Sequence, residues 1–289
     1  MNNQLFIGAC TALVTPFIDG RINYPLAELL IRRQIDAGIK TIVLSGTTGE
    51  ASTLSDAEKF ELFHRCKSYV GNSCMIIAGT GTNSTAHTLE LSIAAQSAGV
   101  DGLLVVTPYY NKATPDGLFV HYHAISQGVD LPVIAYNVPS RTGLDIPIPV
   151  YKRLSSIPNL VGVKEASSDI TKVTKIRCSC GDSFSVWTGN DDLIVPAMSL
   201  GALGVISVLS NICPEETADL TEAALAGDFR KAASLQCHLQ PLVELLFCEV
   251  NPIPVKAAMR YLGYDCGGCR LPLTELTPEN KKRMDAFFA

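Results

Sequence analysis

The sequence predicts a (β/α)8 TIM barrel, in which eight parallel strands alternate with helices, followed by a small C-terminal helical region. Three observations lead to this prediction. Eight short apolar runs recur between residues 6 and 210, amphipathic segments separate them, and the apolar runs stop after about Pro214. Apolar strands that alternate with helices are typical of a parallel sheet that is covered on both faces.

The apolar runs have the length of barrel strands, and each of them ends near polar residues. In chain order they are FIGACTALV (6–14), TIVLSG (41–46), MIIAGTG (75–81), GLLVVTP (102–108), PVIAYNVP (132–139), LVGVKEA (160–166), FSVWTGN (184–190) and GVISVLS (204–210). We expect Ser55 and Asn190 to cap the helices that follow them, whereas Gly38, Gly99 and Gly201 suit helix C-termini.

We predict two regions, a catalytic barrel at residues 1–226 and a helical region at residues 227–289. Two long segments from Pro214 onward have helical spacing, and we expect them to close the barrel and to form the C-terminal region. They are PEETADLTEAALAGDFRKAASLQCHLQPLVELLF and NPIPVKAAMRYLG. A doubly wound open sheet is the alternative fold. It favours a nucleotide-binding glycine motif, but GTGTNS lacks the third glycine of the dinucleotide fingerprint and GTTGE lacks the Lys-Ser/Thr of a P-loop.

Composition excludes several classes of partner. The net charge is -5 with no basic block, so nucleic acid is not expected as a partner. No apolar run reaches the roughly 18 residues of a membrane span, and the N-terminal segment lacks the features of a signal peptide. Only 18% of the residues are charged, which favours extra buried surface in a large barrel or at subunit contacts.

Ten cysteines are scattered through the chain. In a long chain without an export signal we interpret Cys10, Cys66, Cys74 and Cys213 as reduced core residues of a cytoplasmic protein. CGGC (266–269) and CSC (178–180) raise the alternative of a zinc site, but they lie far apart, so we expect surface thiols and no metal. HYH (121–123) does not suit a metal either, because residues two apart face different sides of a helix.

Catalytic groups of such barrels lie at the C-terminal ends of the strands. The polar residues at those ends are rich in hydroxyl groups, with one lysine and one arginine: Thr47, Thr48, Tyr109, Tyr110, Tyr136, Asn137, Arg141, Lys164, Glu165, Gly189 and Asn190. Lys164 ends a run that should be buried. It either pairs with a carboxylate at the barrel rim or acts as a nucleophile, since burial disfavours the charged amine and a free amine forms Schiff bases with carbonyl compounds.

The other strand-end residues have similar pairs of interpretations. Tyr136 is either a core residue or a proton shuttle beside the amine. Thr47 and Thr48 are either turn residues or carboxylate binders, and Arg141 is either a surface residue or a fork for a substrate carboxylate. Their shared position on one face of the barrel favours the functional interpretations.

The chain closely resembles the dihydrodipicolinate synthase family of pyruvate-dependent class I aldolases. Six motifs carry the resemblance, and they occur in the family's order over essentially the whole chain: GTTGE, TPYYNK, YNVPSRTG, GVKEAS, GVISV and NPIPVK. The sialic acid lyase branch usually has Ser at the position of Thr47 and lacks an equivalent of Arg141. The resemblance implies that Lys164 forms the Schiff base with pyruvate and that Tyr136 transfers protons. It also implies that Thr47 and Tyr110 complete a hydroxyl relay, with Tyr110 supplied by a neighbouring subunit.

The resemblance also implies how substrates are held. Thr48 and the backbone near Ile206 bind the pyruvate carboxylate, whereas Arg141 and Gly189 form the pocket for L-aspartate 4-semialdehyde. Condensation of these two substrates gives 4-hydroxy-tetrahydrodipicolinate on the route to diaminopimelate and lysine. The family is usually a homotetramer and uses no cofactor.

The chain departs from lysine-inhibited members of the family in the regulatory site that the resemblance implies. Those members have two histidines and a glutamate where this chain has Asp56, Lys59 and His87, and the remaining positions of this site are Ala51, Asn83 and Tyr109. An inhibitor ammonium needs a carboxylate that His87 does not supply, so we expect weak or absent feedback by lysine. A sibling keto-acid aldolase and a non-catalytic barrel are the alternative functions.

Overall fold

The computed structural model describes residues 4–289, and within them the predicted barrel is confirmed. Each of the eight apolar runs contains one barrel strand. The strands are β1 (Gly8–Ala12), β2 (Phe17–Ile18), β3 (Arg21–Ile22), β4 (Thr41–Leu44), β5 (Met75–Gly79), β6 (Gly102–Val106), β7 (Val133–Asn137), β8 (Leu160–Glu165), β9 (Ser185–Thr188) and β10 (Gly204–Ser207). Of these, β2 and β3 form a separate antiparallel hairpin, and the other eight close the barrel.

Helices follow the barrel strands and continue beyond the last of them. They are α1 (Tyr24–Asp36), α2 (Asp56–Val70), α3 (Thr85–Ser97), α4 (Pro115–Gln127), α5 (Pro139–Thr142), α6 (Ile148–Leu154), α7 (Thr171–Cys180), α8 (Ile194–Ser199), α9 (Pro214–Leu225), α10 (Phe229–Leu246), α11 (Ile253–Tyr261) and α12 (Pro278–Phe288). None of the helices between residues 4 and 289 is both long and apolar enough to cross a bilayer.

The barrel closes where β1 pairs with β10 in parallel, with Gly8 opposite Gly204. A side chain at Gly204 is excluded, because its Cβ would lie 1.9 Å from the carbonyl oxygen of Gly8 and its φ of +156° disfavours other residues. The remaining neighbours run in the order β10, β9, β8, β7, β6, β5 and β4. This sequential parallel order is that of a TIM barrel.

Apolar side chains fill the N-terminal half of the barrel. The rings of Phe6 and Trp187 stack with centroids 4.8 Å apart, and the Trp187 indole nitrogen donates to the Phe6 carbonyl oxygen. Cys10, Ile134 and Ile206 belong to the same buried interior cluster. These side chains close the barrel at the N-terminal ends of the strands, so any interior cavity must open toward the C-terminal ends.

Local signals placed some helix ends correctly and missed other elements. Ser55 caps α2 and exchanges hydrogen bonds with Glu58 in a capping box, as predicted. The prediction for Asn190 is wrong: its side chain makes no capping hydrogen bond and instead donates to the Ser167 carbonyl oxygen. The β2–β3 hairpin and α12 were not predicted, although Asp19-Gly20 suits a tight turn and Thr277 followed by proline suits a helix start.

All ten cysteines are free, and Cys10, Cys66, Cys74 and Cys213 are buried as predicted. The prediction that CGGC contributes surface thiols is wrong for Cys266, which is fully buried. The reason is that this segment packs against the β2–β3 hairpin, where Phe17 N donates to the Cys266 carbonyl oxygen at 2.9 Å. Residues 4–289 contain no cluster of three or more metal-ligating side chains.

A buried ion pair joins the loop after β4 to the C-terminal helices. Lys256 Nζ donates to Glu50 Oε1 at 2.6 Å, and the backbone N–H of Arg270 donates to Glu50 Oε2 at 2.8 Å. Both side chains of the pair are almost fully shielded from solvent. The division of the chain into residues 1–226 and 227–289 stays a prediction, but this pair shows that C-terminal residues reach the catalytic end of the barrel.

His121 on α4 is a buried neutral histidine, and we expect it to make stability depend on pH. Burial lowers its pKa from 6.5 to about 4, while Thr85 Oγ1 lies 2.9 Å from Nδ1 and Nε2 has no partner among residues 4–289. Between pH 6.5 and pH 4, His121 is therefore protonated in the unfolded chain and neutral in the folded chain. The contribution of the neutral His121 to the free energy of unfolding should be fully present above pH 6.5. The free energy of unfolding should fall by about 3 kcal/mol as the pH approaches 4.

Urea unfolding of the wild type and of His121→Gln at pH 7 and pH 5 tests this expectation. The glutamine variant should lose less stability between the two pH values than the wild type does. His123→Gln is the matched control, because His123 is two residues away on the same helix and is exposed. Equal pH dependence in the wild type and in His121→Gln would contradict the assignment.

Candidate active site

A cavity of about 190 Å³ lies inside the C-terminal end of the barrel. It brings together six of the eight residues predicted for catalysis and substrate binding, from four separate segments of the chain. Among the residues that line it are Thr47, Thr48, Tyr136, Arg141, Lys164, Gly189 and Asn251. A larger neighbouring cavity of about 450 Å³ shares Thr47, Tyr136 and Arg141 with it, so both open toward the same face.

Lys164 is an unpaired buried lysine. Four lysines are buried within residues 4–289, and in three of them the ammonium lies within 4 Å of a carboxylate: Lys59 with Asp56, Lys172 with Asp145, and Lys256 with Glu50. Lys164 Nζ makes no ion pair or hydrogen bond with any residue between 4 and 289, although Lys164 is only 6% exposed. The interpretation of Lys164 as a rim lysine paired with a carboxylate is therefore wrong.

The nearest aromatic group to this amine is Tyr136. The two residues are directly opposite in the β7–β8 ladder, and Nζ lies 4.4 Å from the centroid of the tyrosine ring. No charged side chain in the described part of the chain contacts Nζ. The charge of Lys164 lowers the pKa of two buried groups, the carboxyl of Asp191 and the thiol of Cys10. Burial raises the pKa of Asp191, while Ser207, two backbone N–H groups and Lys164 oppose that effect.

Gly189, at the end of β9, leaves the room that the lysine side chain occupies. A Cβ at this position would lie 2.7 Å from Lys164 Cε and 2.7 Å from the Cβ of Ala166. The backbone there is fixed by a hydrogen bond from Gly189 N to the Glu165 carbonyl oxygen. The lysine thus extends into the cavity along a wall that has no side chain.

The loop after β4 supplies the hydroxyl groups. Thr47 lines both cavities, and the Thr48 hydroxyl accepts a hydrogen bond from Asn251 Nδ2 at 3.0 Å. Glu50 N donates to the Thr47 carbonyl oxygen, which closes the turn. The buried ion pair of Glu50 with Lys256 anchors this same turn, so helix α11 in the C-terminal part of the chain helps to position the hydroxyl groups.

Arg141 lies on the short helix α5 at the mouth of the cavity. Its guanidinium group donates one hydrogen bond, to the Asn251 carbonyl oxygen at 3.2 Å, and the residue is exposed. Most of its donors are therefore available to a carboxylate that enters the cavity. No carboxylate among residues 4–289 forms an ion pair with it, which distinguishes Arg141 from the ion-paired surface arginines such as Arg153.

Of the eight residues predicted for catalysis and substrate binding, two do not line this cavity. Tyr110 is 89% exposed and has a φ of +72°, so in a single chain it points to solvent. Ile206 is fully buried in the barrel interior on β10. Asn251 was not predicted, although it touches both Thr48 and Arg141, because no pattern in the sequence connects NPIPVK with a strand end 200 residues earlier.

The six positions of the predicted regulatory site all line the larger cavity: Ala51, Asp56, Lys59, Asn83, His87 and Tyr109. Asp56 Oδ2 lies 2.9 Å from His87 Nε2, and Asp56 Oδ1 lies 3.8 Å from Lys59 Nζ. Burial lowers the pKa of Lys59, an effect that Asp56 opposes. Each carboxylate oxygen of Asp56 thus has a neighbour from this chain, while 60% of the side chain stays exposed.

The chain is similar to known proteins over nearly its whole length. A model of the dihydrodipicolinate synthetase family matches residues 5–288. A 4-hydroxy-tetrahydrodipicolinate synthase from Thermoanaerobacter sp. (strain X514) is 48% identical over 277 residues, which cover 96% of this chain and 93% of that protein. Dihydrodipicolinate synthase from Aquifex aeolicus has a crystal structure with a TM-score of 0.96 and 42% identity, covering 98% of this chain and 97% of that one.

A crystal structure of the corresponding protein from Cyanidioschyzon merolae, with lysine bound, has a TM-score of 0.94 and 38% identity, and it covers 98% of this chain and 97% of that one. These likenesses extend over nearly the whole chain, and the residues of the barrel cavity fall within them. The chain belongs to the dihydrodipicolinate synthetase family.

Proposed function

We propose that this chain is a Schiff-base-forming lyase that condenses pyruvate with L-aspartate 4-semialdehyde to give 4-hydroxy-tetrahydrodipicolinate, in diaminopimelate and lysine biosynthesis. Family membership supports the reaction. The observation that carries the mechanism is the unpaired amine of Lys164, which is buried at the catalytic end of the barrel next to Tyr136. Because no carboxylate of residues 4–289 binds its Nζ, the lysine can reach a carbonyl carbon without first breaking an ion pair.

The chemistry follows from that amine. Lys164 Nζ adds to the ketone carbon of pyruvate, and loss of water leaves an iminium ion. The iminium withdraws electrons, so a proton leaves the methyl group and an enamine forms. The enamine carbon then attacks the aldehyde of the second substrate, whose oxygen takes up a proton. Finally the substrate's own amino group displaces the lysine, which closes the ring and frees Nζ.

The residues around the amine have complementary roles in this proposal. Tyr136, within contact distance of Nζ, donates and accepts the protons that these steps require, and Thr47 relays them. Thr48 and the backbone near Ile206 hold the pyruvate carboxylate. Gly189 keeps open the space in which Lys164 moves.

Arg141 selects the second substrate, and its substitution should separate the two halves of the reaction. In Arg141→Leu the carboxylate of aspartate semialdehyde loses a charged donor pair, which should raise its KM and lower kcat/KM by about 10²-fold. Imine formation with pyruvate should persist. Steady-state kinetics with each substrate varied in turn measure this, and unchanged kcat/KM for the semialdehyde would show that Arg141 does not bind it.

Borohydride reduction with pyruvate, followed by peptide mass spectrometry, tests the proposal as a whole. We expect one adduct, on Lys164. Coupled assays with aspartate semialdehyde and with N-acetylmannosamine then separate the synthase from a sibling aldolase. Absence of the adduct would favour a non-catalytic barrel, and turnover of the sugar alone would favour the sibling.

Assembly and location form part of the same proposal. Tyr110 is exposed on its own chain, which suits a residue that completes the hydroxyl relay of a neighbouring subunit in a homotetramer. The scattered free thiols suit the reducing cytoplasm.

Weak or absent feedback by L-lysine is also expected. Asp56 already contacts Lys59 and His87, so the ammonium of an inhibitor would have to compete with these groups of the chain for its carboxylate. Initial rates should change little at lysine concentrations that inhibit sensitive members of the family. The triple variant Asp56→His, Lys59→His, His87→Glu restores the residues of those members and should gain inhibition; strong inhibition of the wild type would refute the expectation.

A further inference from the structure

Behind the pair formed by Tyr136 and Lys164 lies a buried polar cluster that the proposed reaction does not use directly. Its centre consists of the next residue along each strand, Asn137 of β7 and Glu165 of β8, which are opposite one another in the ladder. Because side chains alternate along a strand, these two face the surrounding helices while Tyr136 and Lys164 face the cavity. We refer to Asn137 and Glu165, with the residues that bind them, as the strand-end clamp.

Asn137 makes contacts on three sides of the clamp. Its Nδ2 donates to the two carboxylate oxygens of Glu165 at 3.0 and 3.1 Å and to Asp145 Oδ1 at 2.8 Å. Its Oδ1 accepts from the backbone N–H of Ile146 at 3.0 Å. Asn137 is fully buried. One amide therefore joins the end of β7, the end of β8 and the loop before α6.

Glu165 is satisfied by further donors. The hydroxyl of Tyr151, on α6, donates to Oε2 at 2.7 Å, and Ser167 N donates to Oε1 at 2.8 Å. The ammonium of Lys172, on α7, lies 3.9 Å from Oε2. Burial and the neighbouring Glu165 carboxylate raise the pKa of Tyr151 well above its usual range, so the phenol stays a donor. A buried carboxylate with this many donors has one favoured position.

We infer that Asn137 and Glu165 are positioning residues, which set the separation of the Tyr136 ring and the Lys164 amine in the reaction proposed above. The β7–β8 ladder has a register irregularity between Val133 and Ile134, at the opposite end of the strand pair. From Ile134 to Asn137 the pairing is regular, so the backbone sets the strand register at the catalytic end, and the clamp adds side-chain bonds that hold the two strand ends there. These bonds lie one residue beyond the reacting groups. This inference rests on the proposed function.

Two isosteric substitutions test it. Asn137→Asp replaces the amide donor with a carboxylate that faces Glu165, and Glu165→Gln places an amide against the donors of Asn137 and Tyr151. Both should slow imine formation with pyruvate and lower kcat by about ten- to a hundredfold, the effect of a misplacement near 1 Å. The KM for pyruvate should change less, because Thr48 is untouched. Tyr151→Phe removes one donor and should give a smaller loss of the same kind.

Asn159→Asp is the matched control, because it makes the same chemical change at the N-terminal end of β8. Asn159 Nδ2 donates to the carbonyl oxygens of Ser126, Val129 and Leu131 at 3.0 to 3.2 Å. Its loss should lower Tm but leave the rate of borohydride-trapped imine formation within twofold of the wild type. If Asn137→Asp does not fold, Glu165→Gln and Tyr151→Phe decide the matter.

The outcomes separate the clamp from the proposed function. Slowed trapping in the clamp variants with normal trapping in Asn159→Asp supports the inference. Trapping at the wild-type rate in folded Glu165→Gln and Tyr151→Phe overturns it, as does equal slowing in Asn159→Asp. A wild type that is never trapped by pyruvate and borohydride overturns the proposed function instead.

Discussion

A Lys164→Met variant is expected to lose imine formation with pyruvate and to lose turnover, with kcat reduced by about 10⁴-fold or more. Methionine, like lysine, has an unbranched side chain that fits the space beside Gly189, but it has no amine. The side chain lies beside Gly189 and Tyr136 and contacts no carboxylate of residues 4–289, so the substitution removes the nucleophile and little else. Intact-mass spectrometry after borohydride reduction should show a pyruvate-derived mass increase in the wild type only.

Lys175→Met is the control for non-specific modification. Lys175 lies on α7, is exposed and contacts Asp169 at 3.2 Å. This variant should keep both the adduct and the turnover. An adduct of wild-type yield in Lys164→Met would show that another amine reacts with pyruvate.

The same Lys164→Met variant should be at least as stable as the wild type, and this result would separate function from folding. An unpaired buried ammonium loses its hydration without a partner to replace it. Removing it should raise the free energy of unfolding by about 1 kcal/mol, as is common when a residue is kept for activity. A marked loss of stability would instead assign Lys164 a structural role.

The fold could be predicted from the sequence because barrel strands carry their signal locally. The strand segments GLLVV and PVIA are apolar throughout, since a parallel strand is covered on both faces. The alternating order of these runs and the helices then leaves few topologies. The β2–β3 hairpin and α12 were missed because each is short or polar, and their burial depends on contacts with distant segments.

The candidate site could be predicted in part for the same reason. The C-terminal ends of barrel strands converge, so the amino-acid sequence alone was enough to group Lys164, Tyr136 and Thr47. Asn251 and the ion pair of Glu50 with Lys256 could not be predicted, because Asn251 and Lys256 lie about 200 residues beyond their partners and are not at a strand end themselves. That Tyr110 acts in a neighbouring subunit stays a prediction.

Lys256 illustrates the opposite kind of buried lysine. Its ammonium donates to Glu50 at 2.6 Å and to the Gly268 carbonyl oxygen at 3.1 Å, and it lies 4.1 Å from the centre of the Phe17 ring. Lys256→Met leaves the Glu50 carboxylate buried with the backbone N–H of Arg270 as its remaining donor. We expect the free energy of unfolding to fall by about 3–5 kcal/mol, measured by urea denaturation.

The double variant Glu50→Gln, Lys256→Met distinguishes a lost attraction from an uncompensated charge. Because the double variant buries no charge, it should recover much of the stability that Lys256→Met loses. Lys281→Met, which removes an exposed ammonium near Asp285, should hardly change the unfolding midpoint. Since Glu50 closes the turn that presents Thr47 and Thr48, Lys256→Met should also raise the KM for pyruvate. Equal losses in the single and double variants would show that packing, and not the buried charge, determines the cost.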